Sequence, residues 1–141
     1  MDIRPLTDTL SVSPQITPSD LAKLAAQGFR TVINNRPDGE EPGQPASAAM
    51  AQAAAAAGLE YRYIPVVPGQ LPDALVDGFA DALAGLPGPT LAYCRTGTRS
   101  TTLWALQAAR QQPADAVLAR ARGAGYDLSA LAPRLAVMRG A

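Results

Sequence analysis

The sequence contains no histidine, a single cysteine, few aromatic residues and no excess of charge of either sign. Without histidine, both the commonest metal ligand and the commonest general base near neutral pH are missing, so any chemistry must proceed without imidazole. No metal or cofactor is expected. One cysteine excludes an intrachain disulfide, and it excludes a two-thiol redox cycle, because no second thiol exists to resolve a mixed disulfide. Lys plus Arg and Asp plus Glu both number 12, so the formal net charge is zero. Nucleic-acid and anionic-membrane binders normally carry a basic excess, and neither kind of partner is expected here. The chain also lacks an apolar run of membrane-spanning length and a charged start followed by an apolar stretch. The cytoplasm is therefore the expected compartment. A single domain over residues 1–141 is expected, long enough for a substantial core.

What is present converges on one stretch, Leu91-Ala92-Tyr93-Cys94-Arg95-Thr96-Gly97-Thr98-Arg99-Ser100. It reads as a short apolar strand running into a polar turn that opens a helix. A thiol placed there sits among free backbone N–H groups at a positive helix terminus, which favours the thiolate. Arg95 and Arg99 add fixed positive charge, and the hydroxyls of Thr98, Ser100 and Thr101 are candidate donors to the sulfur. Gly97 lets the backbone adopt positive φ and turn its amides inward. A buried, inert cysteine is the commoner fate of a lone thiol. Two arginines, a glycine and three hydroxyl residues within a few positions of it resist burial, and favour a nucleophile in an anion-binding loop.

The elements on either side predict an α/β fold with a mainly parallel sheet of four or five strands between helical layers. Ile3, Leu6, Leu10 and Val12 mark one or two short edge strands. Thr17 is expected to cap a helix, with Pro18 in its first position, Asp20 in its first turn and Gly28 at its end. Phe29–Asn34 reads as a buried strand, and the alanine-rich stretch from Pro45 to Ala57 as a helix. Leu59–Val66 alternates like a strand. Asp73 begins a helix that stops at the Gly85–Pro89 cluster, and the helix after Cys94 runs through Thr101–Gln107 to the break at Pro113. Residues 114–141 form a helical tail, with helices over 114–123 and 129–137, a turn at Gly125–Leu128, and Arg134 and Arg139 exposed. The loop Asn35–Gly43 leaves the carboxyl end of a strand, where α/β proteins place their sites, so Arg36, Asp38 and Glu40 join the candidates at second rank.

The spacing Cys94-x4-Arg99, followed by Ser100, is similar to two families at once. Cysteine phosphatases carry Cys-x5-Arg-Ser/Thr, and many rhodanese-type sulfurtransferases carry Cys-Arg-x-Gly-x-Arg. Counted from Cys94 through Arg99 the loop has six residues, against seven in the phosphatase pattern. A wider set of ordered motifs is more specific: Ser13-Pro14-Gln15-Ile16, the run from Gly28 through Glu40, Ile64-Pro65-Val66, and Tyr93 through Ser100. Together they resemble the phosphatase-like domain of the beta-lactamase-hydrolase-like family over roughly the first 110 residues. The resemblance implies a fold of the dual-specificity phosphatase type. The family's members are also described as sulfurtransferases, and some are fused to a sulfur dioxygenase.

Two departures from the phosphatase pattern bear on activity. Tyr93 replaces the histidine that commonly precedes the cysteine. The loop Val67–Pro72 carries no aspartate to protonate a leaving oxygen, and only Asp38 or Asp73 is left to substitute. The expectation drawn from the sequence is sulfane-sulfur transfer through a Cys94 persulfide, which needs no general acid. Its partners would be a small anionic or persulfide substrate, with an acceptor thiol or a sulfur dioxygenase beside it. The alternatives are a phosphomonoester phosphatase acting through a Cys94 phosphothiolate, and a non-catalytic anion- or partner-binding domain. In either enzyme Cys94 is the nucleophile and Arg99 the clamp, with Asp38 as acid in the phosphatase. Arg95, Thr96, Gly97, Thr98, Ser100 and Arg36 are the expected substrate-binding residues.

Overall fold

The structure is a computed structural model that describes residues 1–140. Five strands, β1 (Arg4–Pro5), β2 (Leu10–Ser13), β3 (Thr31–Asn34), β4 (Glu60–Tyr63) and β5 (Thr90–Tyr93), form one sheet in the order β1-β2-β5-β3-β4. Only β1 runs antiparallel to its neighbour, so the sheet is mainly parallel. The helices α1 (Asp20–Ala26), α2 (Ser47–Ala56) and α3 (Asp73–Gly85) are the crossovers between parallel strands. They are followed by α4 (Thr98–Ala108), α5 (Ala114–Gly123) and α6 (Ala132–Arg139).

Alternation along the central strands builds a core on each face of the sheet. Val32 of β3 and Leu91 and Tyr93 of β5 face a cluster that contains Leu21 and Leu24 of α1 and Met50 and Ala54 of α2. Ile33 and Ala92 point the other way, into a larger cluster with Val76 and Phe79 of α3, Leu103 and Leu106 of α4, Val117 of α5 and Leu135 of α6. The result is three layers, helix–sheet–helix.

Of the one or two edge strands expected near the amino terminus, β1 does lie at the edge, and β2 is the correction. β2 lies inside the sheet, between β1 and β5, and all four of its residues are buried. Ser11 and Ser13 disguise it as half-polar. Helix α1 starts at Asp20, later than expected: Thr17 and Pro18 belong to the preceding turn, and Asp20 Oδ2 accepts a hydrogen bond from Thr17 N–H at 2.9 Å. The expected strands 29–34 and 59–66 shorten to Thr31–Asn34 and Glu60–Tyr63. The helices over 114–123 and from Asp73 fall where expected, and α4 begins three residues earlier, at Thr98. Within the tail, Ser129–Leu131 is a short 3-10 turn before α6, and Ala141 lies outside the described residues. Arg134 is half-buried instead of exposed, because its guanidinium donates to the Leu71 carbonyl. No described helix is long and apolar enough to cross a membrane.

Register places the site. Ser13, Tyr93, Asn34 and Tyr63 pair across the four parallel strands at one level. The loops that follow them therefore leave the same end of the sheet together, and the candidates from Arg36 to Glu40 and from Cys94 to Ser100 lie on those loops or in the first turn of α4.

Candidate active site

Cys94 follows the last residue of β5, and its side chain is buried. It belongs to neither apolar cluster. Its sulfur instead accepts the Gly97 backbone N–H at 3.1 Å, under the amino end of α4. Arg99 stands beside it. Its guanidinium is held protonated more firmly than usual, chiefly by its bond to Glu40 and in smaller part by Cys94. The sulfur thus lies among an amide donor, a helix amino end and a guanidinium, the fixed positive groups of an anion-binding loop.

Gly97 is required on two counts. Its φ is +92°, which L side chains rarely adopt. A Cβ there would also lie 2.1 Å from the hydroxyl oxygen of Tyr126 and 2.9 Å from its Cζ. That hydroxyl donates to the Thr96 carbonyl at 2.9 Å, so the phenol braces the loop from behind. The Arg4 guanidinium lies over the Tyr126 ring, 5.1 Å from its centroid, and holds the ring in turn. On another side, Gln15 N–H donates to the Arg95 carbonyl at 3.2 Å.

The three hydroxyls expected near the sulfur go elsewhere. Ser100 donates to Asn35 Oδ1 at 2.8 Å, Thr101 donates to the Gly97 carbonyl at 2.7 Å, and Thr98 Oγ1 accepts from Thr96 Oγ1 at 3.0 Å. They order the turn instead of polarising the thiol. Asn35 ties three loops together: its N–H donates to the Tyr93 carbonyl, its carbonyl accepts from Val66 N–H, and its amide donates to the Ile64 carbonyl.

The loop after β3 brings its charges to the same place. Glu40 takes both terminal nitrogens of Arg99, at 2.7 and 2.8 Å, and its Oε1 also accepts from Arg36 Nε at 2.9 Å. These bonds, Arg99's first, hold the Glu40 carboxyl below its ordinary pKa. Arg99 Nη1 donates to the Val66 carbonyl as well. Arg36 is 1% exposed, and its Nη1 donates to Gln15 Oε1 at 3.1 Å. With Glu41, Pro68 and Arg95, these residues line a cleft of about 450 Å³. Arg36, one of the expected substrate-binding residues, is a buried wall of that cleft. A separate cavity of about 360 Å³ opens at the opposite end of the sheet, lined by Thr7, Thr90, Trp104 and Gln107 among others, and it carries no charged group.

Asp38, the expected acid, is placed differently. Its Oδ1 accepts the Ser47 N–H at 2.8 Å, at the amino end of α2, and it is absent from the cleft lining. Asp73 pairs with Arg134 at 3.4 Å and is absent from it too. The carboxylate that does reach Arg99 is Glu40. Tyr93, at the position of the usual histidine, is buried on the α1/α2 side. Its hydroxyl has no hydrogen-bond partner, and burial raises its pKa strongly. Tyr126, Gln15 and Glu41 were not anticipated. Each is distant in sequence or lies in an ordinary polar turn, and none carries a local signal.

Comparison with known proteins agrees with this geometry. Residues 2–111 match the family model for the beta-lactamase hydrolase-like protein, phosphatase-like domain. A beta-lactamase hydrolase-like protein of Agrobacterium fabrum is 42% identical over 101 residues, which span 72% of this chain and 23% of that protein. The chain thus spans less than a quarter of that relative's length. A crystal structure of a candidate phosphatase from Neisseria meningitidis superposes with a TM-score of 0.88 at 38% identity, covering 99% of both chains. Tk-PTP in its active form, at 15% identity, TM-score 0.69 and coverage of 99% and 95%, shares the fold alone. The sheet order, the Cys94 loop and these matches lead to one assignment: this chain has a cysteine-phosphatase-like fold and belongs to the phosphatase-like domain family of beta-lactamase hydrolase-like proteins.

Proposed function

We propose that the chain is a cysteine-dependent phosphatase in which the Cys94 thiolate attacks phosphorus and Arg99, with the loop amides, holds the phosphoryl oxygens. The observation that carries this reading is the Cys94 sulfur, hydrogen-bonded to Gly97 N–H beside Arg99 at the amino end of α4. Such a cradle of fixed donors stabilises the charge that develops on a transferring phosphoryl group. The family match and the Neisseria structure support phosphoryl chemistry over the sulfur transfer expected from the loop spacing. In this mechanism the thiolate displaces the leaving oxygen, giving a Cys94 phosphothiolate. Water then attacks the phosphorus, the S–P bond breaks, and phosphate departs.

The test is turnover of 4-nitrophenyl phosphate, with intact-mass detection of a phosphoryl adduct on rapid quenching. Release of nitrophenolate and an adduct lost in Cys94→Ser are expected. No release and no adduct would overturn the proposal. Sulfur transfer stays as a second reading on one observation, the six-residue loop, shorter by one than the phosphatase pattern. Its signature is a gain of one sulfur on Cys94 after incubation with thiosulfate.

A further inference from the structure

We propose that the cleft beside Cys94 contains a second anion subsite, formed by Arg36 and Arg95, that receives the leaving phosphate of a phosphoanhydride substrate. The proposal rests on the phosphatase reading and names its substrate class.

The first observation is a buried cation, one of whose terminal nitrogens is held only by an ion pair to a half-exposed side chain. Arg36 satisfies Nε with Glu40 and Nη1 with Gln15, but Nη2 is buried without a hydrogen bond. It is ion-paired instead with Glu41 Oε1 at 3.0 Å, on a side chain 49% exposed. A guanidinium is rarely buried with a donor unused, and an unmade hydrogen bond there is costly. Glu41 can turn out to solvent and leave Nη2 to an incoming anion. Arg95, on the same cleft, is exposed and its side chain forms no ion pair among the described residues. Arg95, and Arg36 once Glu41 is displaced from it, therefore flank the guanidinium that would hold the reacting phosphoryl group. One phosphoryl group needs Arg99 and the loop amides, and a second anionic group fits Arg36 and Arg95.

The second observation is that both carboxylates of the cleft, Glu40 and Glu41, are paired with arginines, and no aspartate among the described residues lines it. Glu40 is bonded to Arg99 and Arg36, Glu41 is ion-paired with Arg36, Asp38 caps α2, and Asp73 pairs with Arg134. An alkoxide leaving group needs a proton as it departs, whereas a phosphate leaves as a stable anion. Breaking a P–O–P bridge fits both observations. The Cys94 thiolate forms the S–P bond to the terminal phosphorus, and the bridging oxygen keeps the bonding pair and departs as a phosphate anion against Arg36 and Arg95. Water then cleaves the S–P bond, its protons passing to solvent and to the released phosphate. No oxidant or reductant is needed.

The experiment titrates Cys94→Ser protein calorimetrically with inorganic pyrophosphate and with orthophosphate. Pyrophosphate should bind on the order of tenfold tighter, the scale of a charge-assisted hydrogen-bond pair. Arg95→Gln, at an exposed position, should remove several-fold of that preference, and Arg36→Lys more of it where the variant folds. Equal affinities, or a preference that survives Arg95→Gln undiminished, would overturn the subsite while leaving 4-nitrophenyl phosphate turnover as separate support for the phosphatase. Absence of a phosphothiolate from either substrate would instead overturn the phosphatase reading, and the leaving-group assignment with it.

Discussion

Substituting Gly97 with alanine tests whether the loop is held in shape by Tyr126. The new methyl meets two obstacles. A backbone at φ +92° is unfavourable for an L residue by about 1–2 kcal/mol. The Cβ would also lie 2.1 Å from Tyr126 Oη, so the phenol must withdraw and give up its bond to the Thr96 carbonyl, which adds about 0.5–1.5 kcal/mol. Gly97→Ala should therefore cost roughly 1.5–3.5 kcal/mol. Tyr126→Phe alone should cost about 1 kcal/mol, for the lost hydrogen bond. In the double variant the hydroxyl is already gone, and Cζ, at 2.9 Å, and the Ser13 backbone carbon, at 3.3 Å, still crowd the methyl. The two changes should then cost less together than their sum by about 1 kcal/mol. Urea unfolding of the four proteins measures this, and phosphatase assays of the same set report the loop. Additive costs would refute the claim that the phenol and the glycine are fitted to each other. Near-wild-type turnover in Gly97→Ala would refute the claim that loop shape matters to the chemistry.

Three other outcomes are expected. Arg99→Lys keeps charge but loses the planar fork, and should lower kcat on 4-nitrophenyl phosphate by about 10²-fold; unchanged turnover would remove Arg99 from the clamp. Glu40 has a folded pKa below its ordinary 4.5, so the stability it contributes is complete above that pH and is lost as pH falls through the folded value. The urea-midpoint difference between wild type and Glu40→Gln should accordingly shrink from pH 6 to pH 3, and a constant difference would mean that the Arg99–Glu40–Arg36 bonds do not stabilise the fold. Tyr93→Phe removes a buried hydroxyl that has no partner, and should raise stability by about 1 kcal/mol, read as a thermal shift of roughly 2–4 °C. A comparable loss would show that the hydroxyl is paired.

The chemistry of the site was legible because it is local. Cys94, Gly97 and Arg99 lie within one loop, and the strand-to-helix pattern around them needs only neighbouring residues. The parallel sheet could be read from alternating helices and strands for the same reason. The position of β2 could not, since serine at alternate positions hides a buried strand and its neighbours are set by pairing with β5, far along the chain. The burial of Arg36 could not be read, because an arginine is rarely buried unless paired and its partners, Glu40 and Gln15, meet it only after folding. Asp38 and Glu40 are two residues apart in one polar loop. Nothing in their sequence says which would turn to the helix end and which to the cleft.

Tyr126 lies beyond residue 111, where the family match stops. A protein excised at that boundary would retain the cysteine, both neighbouring arginines and the whole sheet, yet would lack the strut behind its own nucleophile. The functional boundary of this unit is therefore drawn by a contact from the carboxyl-terminal helical region and not by motif content, so shortened versions that keep every signature residue should lose order at the loop before they lose their strands.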